Sequence, residues 1–120
     1  MSRDVTRESE RRRIEKSFAV FSLGARERAL ILEALDSVRW DWFRDCDGCT
    51  GVSELHWPTK YFPPCLRHDY DYITGNGGLT GSKIFYRLQR AYGVPKWRSG
   101  LRTGGVTLFW HAWGKWRSRQ

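Results

Sequence analysis

Apolar positions recur along most of this 120-residue chain at helical rather than strand spacing. In ARERALILEALDSVRWDWF, the residues Leu30, Ile31, Ala34, Leu35 and Val38 fall on one stripe, which predicts a core-facing helix opening after Gly24. Before it, the stretch from Asp4 to Lys16 is mostly charged. Its Arg and Glu residues, three and four apart, predict a solvated helix outside the core, followed by Phe18, Val20, Phe21 and Leu23. From Arg44 to Pro64 the helical period is lost. Gly48, Gly51, Pro58, Pro63 and Pro64 predict an ordered loop, and a loop of that length in so small a domain usually has a function. Pro63 and Pro64 then suit the first turn of a helix over CLRHDYDYI. A glycine-rich connection, TGNGGLTGS, leads to a helix over SKIFYRLQRAYG that Gly93 and Pro95 close. The last apolar segment, Trp97 to Trp116, is divided by Gly104 and Gly105. The expected architecture is all-α: a charged helical extension over residues 1–24 and a helical domain over 25–120, with one long loop before the helix that carries His68.

Charge adds a partner class without choosing within it. Lys and Arg outnumber Asp and Glu by 21 to 13, a net +8, which attracts phosphate on nucleic acid or on anionic phospholipid. Seven Trp residues suit base stacking and a membrane interface equally well. In the terminal FWHAWGKWRSRQ, Phe109 and Trp113 are expected in the core. Trp110, Trp116, Lys115 and Arg117 are the candidates for an anionic bilayer surface. No apolar run reaches the length of a signal-peptide core or a membrane span, so a protein made in the cytoplasm without a signal peptide is expected. TGNGGLTG lacks the Lys-Ser/Thr of a phosphate loop and reads as a turn.

Two chemistries compete for the central residues. On a helix, His68, Asp69 and Tyr72 sit at about 0°, 100° and 40° of rotation, so an imidazole, a carboxylate and a phenol share a face. A neutral imidazole can take a proton from water, and a carboxylate beside it can hold a hard cation. The loop Asp45-Cys46-Asp47-Gly48-Cys49-Thr50-Gly51 can add backbone carbonyls and the Asp47 carboxylate. The rival is a zinc site: Cys46-x-x-Cys49 and Cys65-x-x-His68 form a Cys3His pattern, and a zinc-stabilised basic module would bind nucleic acid.

The segments Asp47-Gly48-Cys49-Thr50 and Pro64-Cys65-Leu66-Arg67-His68-Asp69-Tyr70-Asp71-Tyr72 resemble the calcium loop and histidine helix of phospholipase A2 in its small prokaryotic and phage-type form. The helix matches every fixed position of the family motif, and a looser resemblance runs over residues 40–116. The resemblance implies a calcium-dependent esterase that hydrolyses a phospholipid acyl ester at a membrane interface, with a protein associated with a virion or released at lysis. It implies His68 as general base, Asp69 and Asp47 as side-chain calcium ligands and Gly48 as a carbonyl ligand. It further implies that Tyr72 braces the site and that Cys49 is bridged to Cys65. One position departs from the family: Ser82 stands where an aspartate orients the histidine, so Asp71 becomes the candidate substitute. A serine there also admits a membrane-binding protein with weakened catalysis.

Overall fold

The computed structural model describes residues 6–47, 57 and 59–109, with side chains as far as Gly105. Six helices follow in chain order: α1 (Arg7–Val20), α2 (Ala25–Asp36), α3 (Trp42–Asp45), α4 (Pro63–Ile73), α5 (Leu79–Ala91) and α6 (Lys96–Phe109). Among the described residues there is no strand, so the fold is all-α. The central stack is α2 on α4, α4 on α5 and α5 on α6.

The charged first helix is part of the core and not an extension beside it. Thr6 caps α1 reciprocally with Ser9: each backbone N–H donates to the other's hydroxyl at 3.0 Å, a device worth about 1 kcal/mol. Ile14 and Phe18, one turn apart, are buried in the same apolar cluster as Leu23, Ile31 and Leu35. Two apolar side chains at i and i+4 suffice to dock a helix whose other faces are charged, and the charges find partners on the way in. Arg7 meets Asp41 and Arg11 meets Asp36, both at 2.8 Å. The Ser17 hydroxyl lies 2.6 Å from the Tyr92 phenol, and Thr59 donates to buried Glu10 at 3.0 Å.

Two other expectations change at helix ends. Helix α2 buries Ile31, Ala34 and Leu35 as the stripe required, but it stops at Asp36 and leaves Val38 on the surface. The chain turns back because the Trp40 indole donates to the Ala34 carbonyl at 2.7 Å, taking up an acceptor of the last turn. Conversely, α6 runs through Gly104 and Gly105 without a break. Helix-interior glycine costs about 1 kcal/mol, and packing against α5, with Gln89 donating to Thr103 at 3.2 Å, offsets it.

The proline-led start of α4 is as expected, with Pro63 and Pro64 in the first turn. Between α4 and α5, Gly81 is where the backbones close in. A Cβ there would run into the Asn76 carbonyl oxygen and come within 3.3 Å of Asp71 Cβ. Glycine therefore sets how closely the start of α5 approaches the end of α4.

Candidate active site

Helix α4 is fixed on one side and leaves its chemistry on the other. Leu66, Arg67, Tyr70 and Asp71 are buried, whereas His68, Asp69 and Tyr72 are half-buried along the opposite face. Arg67 is the anchor. Its guanidinium binds both carboxylate oxygens of Asp71, at 3.1 and 2.9 Å. It also reaches the Leu30 carbonyl at 2.8 Å and the Glu33 carboxylate at 2.7 Å on α2. A planar fork with three acceptors locks the rotation of α4 against α2, and so fixes where His68 points.

The imidazole of His68 lies on the ring of Phe85, with centroids 4.7 Å apart. Burial against that ring lowers the His68 pKa from 6.5 to about 4, so the ring is neutral at physiological pH. Its Nε2 is enclosed and has no hydrogen-bond partner.

The neighbouring Asp69 draws the preceding loop onto the helix: its Oδ2 accepts the Asp47 backbone N–H at 2.7 Å. Asp47 itself is exposed. The backbone of one expected calcium ligand, Asp47, is thus held by the carboxylate of the other, Asp69, at the base of the loop. The third expected ligand, Gly48, lies outside the described residues, as does Cys49. Among the described residues no group of three or more His, Cys, Asp or Glu side chains is gathered around one point. Cys65 is disulfide-bonded, and Cys46 is fully buried in the apolar core. Asp47 and Asp69 carry hard carboxylate oxygens, the donor type that calcium prefers.

Asp71 does not take the orienting role suggested for it. Both its oxygens face Arg67, and no hydrogen bond joins it to the imidazole. The reason is its i+4 spacing from Arg67, which favours the ion pair over a contact with His68. Ser82 is buried on α5, one turn before Phe85, so it sits beside the ring's platform without bonding Nε2. Trp110, Trp116, Lys115 and Arg117 lie outside the described residues. Two residues that matter here, Arg67 and Phe85, carry no catalytic chemistry. The Arg67–Asp71 spacing was the available signal for the first; nothing local in the sequence marks the second as the histidine's platform.

Along the outer side of α5 an open, largely apolar groove of about 640 Å³ runs between α5 and α6, with Ser82 in its wall. Among the described residues no helix is long and apolar enough to cross a membrane. Comparison with protein-family models, with curated proteins and with solved structures returns no match to this chain.

Proposed function

We propose that this protein is a calcium-dependent phospholipid esterase of the phospholipase A2 type. The observation that carries the reading is the pairing of a neutral, half-buried His68 with Asp69, whose carboxylate holds the Asp47 end of the loop at 2.7 Å. Calcium would be held by Asp69, Asp47 and the Gly48 carbonyl, and when bound it supplies positive charge for the ester carbonyl oxygen. Neutral His68 accepts a proton from water at Nδ1, since Nε2 is closed to solvent. Phe85 excludes water from the inner face of the ring and holds its plane. Arg67 and Asp71 keep α4 from rotating. Cys49 is the proposed partner of Cys65, fastening the loop to the helix.

The same geometry argues for a slow enzyme. A carboxylate on Nε2 would stabilise the imidazolium formed on proton transfer, and here Nε2 has no acceptor. The zinc reading has less support, because the Cys65 sulfur is committed to a disulfide and Cys46 is packed among core rings.

Release of fatty acid from phospholipid vesicles tests this directly. Hydrolysis that requires added calcium, stops with chelator and is absent in His68→Gln is the expected result. Hydrolysis unaffected by chelator, or equal in the His68→Gln variant, would overturn the reading.

A further inference from the structure

Charge is segregated along the chain in a way its total conceals. All 13 Asp and Glu residues lie at or before Asp71, while nine of the 21 Lys and Arg residues follow it. Residues 1–71 therefore carry a net −1, and the part that contains α5 and α6 carries +9. Neither helix has an acidic residue. Arg87 is paired with Glu27 across the fold, but Lys83 and Lys96 form no ion pair among the described residues.

Large apolar side chains are exposed on the same two helices. Leu79 is 62% exposed, Trp97 65% and Leu101 70%. Leu79 lines the open groove on the α5 side, and Gly100 and Gly104 line it on the α6 side. Helical geometry puts Trp97 and Leu101 on the rim beside those glycines, at about 0° and 40° against about 300° and 340°. The Arg98 guanidinium lies over the Trp97 ring at 5.4 Å. Cations thus surround an apolar patch that folding leaves uncovered.

We propose that this α5–α6 face docks on an anionic phospholipid bilayer. Trp97, Leu101 and Leu79 enter the interface, and Lys83 and Lys96 meet lipid phosphates. A nucleic acid would satisfy the cations and could stack on Trp97, but it gives no reason to expose two leucines beside an apolar groove; a bilayer satisfies both features. The groove wall includes Ser82, one turn from the ring that supports His68. A bilayer on this face would therefore lie next to the candidate active site. The docking surface deepens the proposed function but does not require catalysis.

Co-sedimentation of the full chain with vesicles tests it, using phosphatidylglycerol mixed with phosphatidylcholine against phosphatidylcholine alone, and oligonucleotides in parallel. Binding to the anionic vesicles is expected. Losing the two exposed apolar side chains that enter the interface should weaken that binding at least about tenfold in a Trp97→Ala/Leu101→Ala variant. A Lys83→Glu/Lys96→Glu variant should lose the preference for anionic lipid, with helicity checked by circular dichroism in both. Binding to oligonucleotides without binding to vesicles, or equal vesicle binding by wild type and both variants, would overturn the proposal. His68→Gln separates the two readings: vesicle binding that persists while wild-type protein shows no calcium-dependent hydrolysis sinks the catalytic reading and leaves this surface standing.

Discussion

Asp47 and Asp69 are 22 positions apart, yet the backbone N–H of the first donates to the carboxylate of the second at 2.7 Å. One Asp69 oxygen thus holds the loop, and the carboxylate as a whole carries the charge that would attract a cation. The two roles can be separated. In Asp69→Asn the side-chain oxygen still accepts from Asp47 while the charge is gone. Calcium affinity measured by calorimetry should fall at least about tenfold, because ligand charge sets affinity at oxygen sites. Thermal stability without calcium should change little. In Asp69→Ala both should fall.

Arg67 and Asp71 are 5% and 0% exposed in their side chains, so each is the other's main compensation for leaving water. Burial raises the Asp71 pKa, and the hydrogen bond and charge of Arg67 oppose that rise. Replacing Arg67 with Met leaves an uncompensated buried carboxylate and should cost about 3–5 kcal/mol of unfolding free energy. Urea denaturation gives the value. The double variant Arg67→Met/Asp71→Leu should recover most of the loss, since an apolar pair of similar volume needs no compensation. If the single and double variants are equally destabilised, the cost lies in the contacts of Arg67 with Leu30 and Glu33.

The helices that carry their own punctuation were legible in the chain. Pro63 and Pro64 announced α4, Gly93 closed α5, and the face bearing His68, Asp69 and Tyr72 followed from helical rotation alone. What could not be read locally was decided by distant partners. Ile14 and Phe18 look minor within a charged segment, and only the surface they meet makes α1 a core helix. Val38 fits the α2 stripe by spacing, but Trp40 folds back onto Ala34 and ends the helix first. Gly104 and Gly105 weaken α6 as isolated residues, and packing on α5 overrides them. At the site, Asp71 had the residue type for orienting His68, but its geometry belongs to Arg67.

Ser82 is 2% exposed and stands one turn before Phe85, the ring on which the His68 imidazole lies, and the Nε2 of that imidazole lacks an acceptor. Ser82→Asp offers that acceptor as a carboxylate. The His68 pKa should rise from about 4, as followed by NMR titration, because a nearby negative charge favours the imidazolium. If the protein hydrolyses phospholipid, kcat should rise roughly tenfold or more, with KM little changed. A higher His68 pKa with no gain in kcat would show that imidazolium stabilisation does not limit the reaction.

Tyr92 links pH to stability through the first helix. Its phenol is buried against the Ser17 hydroxyl at 2.6 Å, and burial pushes its pKa well above the ordinary 10.0. Above that pH the unfolded chain releases the phenolic proton while the folded chain keeps it. The unfolded state then binds fewer protons, and stability falls as pH rises, by up to about 1.4 kcal/mol per pH unit for one such group. Below pH 10 this contribution is fully present. Tyr92→Phe should cost about 1 kcal/mol at neutral pH through the lost hydrogen bond, and it should flatten the alkaline decline. Tyr61, also raised by burial, should supply the slope that remains. Unfolding midpoints measured from pH 8 to 12 check both signs: a Tyr92→Phe curve parallel to wild type above pH 10 would mean that Tyr92 ionises as readily in the folded protein as in the unfolded chain.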